Sequence, residues 1–253
     1  MLHRYFIWLS FKGTAYCGWQ IQPGSPSVQQ TLNNALTILL REDAETIGCG
    51  RTDTGVHAST FAAHFDTALP AEELNLPQLT YKLNRILPSD IAINKIEAVQ
   101  PDIHARFSAI SRTYHYNICR HKDPFQYGRS WLVERRLNLE AMQQAADLLL
   151  AYEDFESFSK TNTQVKTFHC KIAKARWEQD GNILRFEITA DRFLRNMVRA
   201  IVGTLVDVGL GKISPDDFAS IIESKDRGQA GFSAPGSGLF LTDVVYPANY
   251  RQQ

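Results

Sequence analysis

Residues 171–178 and 183–190 both read as strands, and Asp180-Gly181 between them is a strong turn signal. Such a turn makes its two flanking strands antiparallel neighbours, so the C-terminal half of the chain must hold an antiparallel sheet with a face to cover. Covering helices are legible close by. Asn138 precedes a helical segment over 139–150, a long helix is expected over 192–208, and Ser214 with Pro215 and Asp217 opens another. Upstream, 112–118 has period two, which puts Tyr114 and Tyr116 on one face and Thr113, His115 and Asn117 on the other. Residues 238–246 supply a closing strand of this second half.

The N-terminal half repeats the order. Residues 4–11 are rich in aromatic and β-branched residues and form a strand, and 61–65 and 91–96 form two more. Ser27 with Gln30 caps an amphipathic helix whose apolar positions are Val28, Leu32, Leu36, Leu39 and Leu40, and a short helix is expected around 78–86. The chain of 253 residues, 44% hydrophobic, is long enough for two cores. The expected fold class is therefore α+β: two α/β sandwich domains, 1–105 and 106–253, with mainly antiparallel sheets, helices on one side, and an active-site cleft between them.

The chemistry centres on residues 49–60. Asp53 follows Gly50 and Arg51 and precedes Gly55 and His57, so a carboxylate sits where the backbone can turn sharply, with a guanidinium nearby to favour the ionised form. Asp53 is the candidate nucleophile; an acidic turn residue paired with a neighbouring arginine is the plainer alternative. A second pattern lies in the helix expected over 192–208. At about 100° per residue, Arg192, Arg195 and Arg199 form one cationic stripe, in which Arg199, between Val198 and Ile201, is the one to be partly buried and in need of a carboxylate. Between residues 16 and 24, Tyr16 and Trp19 stand among glycines and amides, placed either to stack on bases or to tuck onto the core.

Composition limits the function classes. The four cysteines show no Cys-x-x-Cys pair and the histidines no zinc-type spacing, so no metal is expected and the thiols are reduced. There is no apolar run of about eighteen residues and no signal-peptide pattern around Tyr5-Phe6-Ile7-Trp8, so no membrane association and a cytoplasmic location are expected. Net charge is zero, but it is unevenly spread: 101–200 holds sixteen Lys/Arg against twelve Asp/Glu, while 1–100 has seven against nine and 201–253 four against six. Asp53-Thr54-Gly55 also matches the aspartic-protease triplet, yet only one copy is present and Arg51 opposes the shared proton of that chemistry. A non-catalytic RNA-binding module is the other rival.

Seven motifs in order carry a resemblance that extends along nearly the whole chain. They are residues 11–23 with Ser27-Val28-Gln29; Gly50 to Ala58; Ala105 to Ala109; Arg112 to Tyr116; Phe155 to Phe158; Met197 to Gly203; and Ala234-Pro235 with Gly238 to Leu241. In them the chain resembles the tRNA pseudouridine synthase A family, departing at Phe11, where the family often has Tyr, and at Ala200, where Asn is frequent. The resemblance implies the pseudouridine synthase fold and isomerisation of uridine to pseudouridine in the anticodon stem-loop of tRNA (positions 38, 39 and 40), without cofactor or metal. It implies Asp53 as nucleophile, attacking either C6 of the uracil or C1′ of the ribose. Tyr114 would stack on the target base and assist proton transfer from C5, Arg199 would pair with Asp53, Leu239 would wall the pocket, and Arg51 would fill the space of the displaced base. It also implies a homodimer that a tRNA spans.

Overall fold

The computed structural model describes residues 2–161 and 165–252. In chain order these form β1 (His3–Phe11), α1 (Val28–Leu40), β2 (Ile47–Gly48), β3 (His57–Thr67), α2 (Ala71–Leu74), α3 (Leu76–Ile86), β4 (Ile91–Ala98), β5 (Ser111–Cys119), β6 (Trp131–Leu132), α4 (Leu139–Leu148), β7 (Ile172–Asp180), β8 (Ile183–Ala190), α5 (Met197–Gly209), α6 (Pro215–Ser224) and β9 (Leu239–Val245). The architecture is mixed α+β, and the strands pair mostly antiparallel. The chain divides into two compact units, Met1–Ile110 with Leu241–Gln253, and Ser111–Phe240. From Leu241 onward the closing strand thus belongs with the first unit, whereas the sequence pattern assigned it to the second. Among the described residues no helix is long and apolar enough to cross a membrane.

In the first unit the strand order is β4-β1-β3-β9, with β2 added to β3. Strand β1 is buried on both faces: Tyr5, Ile7 and Leu9 point one way and Phe6 the other, all at most 1% exposed. The Phe6 face is closed by the chain beyond β9, where the Tyr246 ring stands edge-on to Phe6 at 4.9 Å and Tyr250 lies 5.9 Å from it. Burying a phenylalanine of this kind contributes about 2–3 kcal/mol. Helix α1 starts where Ser27 Oγ accepts from the Gln30 amide at 3.2 Å, and it buries Val28, Leu32, Ala35 and Leu36.

Two polar side chains of α1 are also buried, and both are satisfied. Asn33 Oδ1 accepts from the amide and the hydroxyl of Thr46, and Gln29 donates to the Thr46 carbonyl while accepting from the Ile21 amide. These bonds fix the approach to β2, and through β2 the entry of the Asp53 segment.

In the second unit the order is β7-β8-β5, with the short β6 parallel to β5. The hairpin forms as expected but turns one residue later: Asp180 pairs with Ile183, so the two loop residues are Gly181 and Asn182. The reason is the backbone. The first loop position has φ +55°, which glycine tolerates and aspartate disfavours. The helix expected over 192–208 also differs. Asn196 adopts φ +69°, a left-handed conformation that cannot continue an α-helix, so α5 begins only at Met197. Arg192 and Arg195 therefore precede the helix and form no stripe with Arg199. The Arg192 guanidinium instead donates to the carbonyls of Thr167 and His169.

His64 on β3 is 2% exposed, and its Nδ1 accepts from the Ala105 amide at 3.1 Å. Burial, with the neighbouring Arg4 and His104 charges, lowers its pKa to about 4. In the unfolded chain it titrates near 6.5. Between those values the unfolded state binds a proton that the folded state refuses, so stability is full above pH ~6.5 and falls by up to about 3 kcal/mol as pH drops to ~4. NMR titration should find the His64 ring neutral at pH 5 and urea unfolding should show the acid loss; a ring midpoint near 6.5 would refute it.

Candidate active site

The Asp53 segment is built by contact between two loops. The loop after β1 presents Gly13 and Gly18 to the loop before β3, and the chains meet backbone to backbone. The Trp19 amide donates to the Thr52 carbonyl at 3.4 Å and the Gly55 amide to the Tyr16 carbonyl at 3.3 Å. A β-carbon on Gly18 would lie 2.2 Å from the Thr52 oxygen, and one on Gly13 would lie 1.9 Å from the Val56 oxygen. Gly18 also has φ +94°. Between these anchors the Val56 amide donates back to the Asp53 carbonyl at 3.2 Å, closing a tight turn with Gly55 at φ +77°.

Asp53 sits in that turn half-buried, while Arg51 two residues earlier is exposed. His57 is 1% exposed and its Nδ1 accepts from the Gly13 amide at 3.0 Å, so the ring nitrogen facing that loop carries no proton and pins the two loops together. The aromatics of the first loop prove to be core. Trp19 stacks on Phe61 at 4.3 Å, and Tyr16 donates to Asp90 Oδ1 at 2.8 Å; burial and that bond push its pKa up to about 12. These rings hold the loop down rather than wait for bases. The Tyr16–Asp90 bond joins positions 74 residues apart and left no signal in the sequence.

The second unit gathers the other three residues. Tyr114 is half-buried on β5, edge-on to Phe193 at 5.1 Å and 90°. Arg199, also half-buried, lies in the first turn of α5 with its Nε donating to the Ala234 carbonyl at 2.7 Å, while the Ala234 amide donates to the Arg199 carbonyl at 2.9 Å. The next residue, Pro235, accepts from the buried Tyr116 hydroxyl at 2.8 Å, and Leu239, 6% exposed, follows a short 3-10 turn. Residues 234–239 thus link Arg199 to the strand of Tyr114. Burial raises the Tyr116 pKa, so that phenol stays protonated and keeps donating.

A strap over 227–234 holds the start of α5. Arg227 donates to the Ala230 and Gly231 carbonyls and to Ser233 Oγ, to which Asn196 also donates. Gly203 admits the strap: a β-carbon there would sit 1.8 Å from the Phe232 oxygen. Sequence reasoning passed over Phe193, Asn196, Arg227 and Ser233, since their roles depend on positive φ and on contacts from distant turns. Among the described residues no group of three His, Cys, Asp or Glu is arranged to hold a metal.

Comparison with known proteins places this chain among relatives of one kind. Residues 145–247 match the family described as tRNA pseudouridine synthase. The tRNA pseudouridine synthase A of Parabacteroides distasonis is 52% identical, with 97% of each chain covered, and that of Porphyromonas gingivalis is 53% identical over 97% of this chain and 98% of its own. The tRNA pseudouridine synthase A of Bacillus subtilis, more distant, is 41% identical over 94% of this chain and 97% of its own. On identity of this level over nearly the full length, the chain belongs to the tRNA pseudouridine synthase A family.

Proposed function

We propose that this protein converts uridine to pseudouridine in the anticodon stem-loop of tRNA, with Asp53 as nucleophile and no cofactor. The observation that carries the reading is the Asp53 turn: a half-buried carboxylate on backbone anchored from both sides, in a chain 52% identical to a tRNA pseudouridine synthase A over 97% of its length. In the isomerisation the N1–C1′ bond breaks, the C5–C1′ bond forms, C5 loses a proton and N1 gains one. Composition and oxidation state do not change, so a nucleophile and proton-transfer groups suffice. Asp53 attacks C6 of the uracil or C1′ of the ribose; both routes use the same carboxylate.

The remaining roles follow. Tyr114 stacks on the target base and assists removal of the C5 proton, and Arg199 serves as the counter-ion that keeps Asp53 ionised. Leu239 forms an apolar wall. Arg51, exposed and two residues from Asp53, fills the gap left by the displaced base, which offsets part of the few kcal/mol that unstacking costs. Two copies of the chain act together on one tRNA, in the cytoplasm.

Asp53→Asn keeps the shape of the side chain but is no nucleophile, so turnover should fall about 10³-fold or more while tRNA affinity changes only a few fold. Mass analysis of tRNA after incubation with the pure variant is the check. Intact turnover would remove the assignment, and wild-type protein that bound tRNA without ever forming pseudouridine would return the chain to the RNA-binding modules. For Arg199, removal of the cation should raise the Asp53 pKa and move the acidic limb of the pH–rate profile upward. Arg199→Met should be nearly inactive at neutral pH and recover partly in alkaline buffer, whereas Arg199→Lys, which keeps charge but not the planar fork, should retain some activity. Arg192→Met is the control, and equal small effects at both positions would sink the pairing.

A further inference from the structure

The basic surplus of the middle of the chain is concentrated in one segment. Residues 120–136 hold five Lys/Arg against two Asp/Glu, so they account for three of the four surplus charges of 101–200; the rest of that stretch has eleven against ten. Lys122, Arg129, Arg135 and Arg136 are exposed, and among the described residues none of their side chains has a hydrogen-bond or carboxylate partner. Several surface cations elsewhere are neutralised: Lys95, Lys174, Lys212 and Lys225 each lie within 2.6–3.0 Å of a carboxylate. The same segment displays Phe125 and Tyr127, 84% and 88% exposed, more than any other large apolar residue described.

These side chains are presented by an ordered turn. Asp123 Oδ1 accepts from the Phe125 amide and the Asp123 carbonyl from the Gln126 amide, while the Gln126 carbonyl accepts from the Arg129 amide and the Ser130 hydroxyl. Arg120 ties down the far side by donating to the carbonyls of Val133 and Arg135. Asp123 keeps its charge while accepting in the turn, so the segment's net surplus is the three charges by which its five Lys/Arg exceed its two Asp/Glu. Two open ring faces beside four unpaired cations complement a partner that carries flat unpaired bases and a line of phosphates.

We propose that residues 121–136 form an RNA-holding surface in which Lys122, Arg129, Arg135 and Arg136 take phosphates and Phe125 and Tyr127 stack on unpaired bases. This rests on the reading that the substrate is tRNA. The segment leaves β5 after Cys119, five residues from Tyr114 and about 17 Å along the strand at roughly 3.3 Å per residue. It therefore holds RNA outside the target nucleotide.

The test compares wild type with Phe125→Ala/Tyr127→Ala and with Lys122→Gln/Arg129→Gln, all as full chains. Filter binding to unmodified tRNA, which does not require turnover, should show about 10–100-fold weaker binding for the ring variant. The charge variant should bind more weakly and with a salt slope smaller by about two, one for each phosphate that is no longer neutralised. The single-turnover rate at saturating tRNA should stay within about twofold in both, and thermal unfolding should be unchanged because the four side chains are exposed. Unchanged affinity and slope would overturn the proposal. So would light scattering in which the ring variant drops to half the wild-type mass, since the rings would then be a contact between two copies of the chain. Tight wild-type binding without pseudouridine formation would remove the catalytic reading, and the variants would still decide whether this surface holds RNA.

Discussion

The Asp53 turn depends on two chains approaching more closely than side chains allow. With β-carbon positions at 1.9 and 2.2 Å from opposing carbonyl oxygens, Gly13 and Gly18 are required by contact, and Gly18 by its left-handed φ as well. That approach does two things at once. It lets backbone amides of one loop satisfy carbonyls of the other, which a buried loop must do somehow, and it fixes the backbone around Asp53 through main-chain bonds. Main-chain bonds from both sides give a loop residue much of the positional precision of a residue on a strand.

Polar groups buried nearby serve the same end. Gln29 and Asn33 lie on the core side of α1, where apolar residues would stabilise more; instead they grip Thr46 and Ile21, the backbone on either side of the site's two loops. Each bond is worth only about 1 kcal/mol net, but a missing partner would leave a buried amide unpaired at greater cost. The second unit uses a comparable device. Gly203 lets the strap over 227–234 lie against α5, and the Ala234 carbonyl then accepts from the Arg199 guanidinium, so a main-chain oxygen helps orient that cation.

How much of this the sequence disclosed varied with the range of the cause. Helix caps such as Asn138 and the Ser214–Asp217 pair are local, and they stand where the residue pattern put them, whereas the strand expected over 61–65 runs from His57 to Thr67. The hairpin between β7 and β8 was legible in kind and displaced by one residue, because an Asp-Gly pair announces a turn without saying which of the two occupies the positive-φ position. The cationic stripe failed for the same type of reason: helical periodicity continues through Arg192 and Arg195 on paper, and only the left-handed Asn196 stops it. Tyr16 and Trp19 were ambiguous between core and ligand, since an aromatic ring among glycines looks alike in both settings. Their partners, Asp90 and Phe61, are far away in the chain.

Charge was the least transparent property. A sum of zero describes the whole chain, yet a polyanion meets only the cations that are not already neutralised, and within a Debye length of about 10 Å it meets them locally. Where Lys174 faces Glu187, or Lys212 faces Asp207, the pair offers little field to a phosphate. Where residues 120–136 set five Lys/Arg against two Asp/Glu, and Lys122 and Arg129 are exposed without a carboxylate partner, the local surplus leaves positive potential at the surface. Net charge therefore says nothing against an RNA substrate for this chain; what governs attraction is where cations gather without a carboxylate partner, and that follows from pairings in the fold that no composition records.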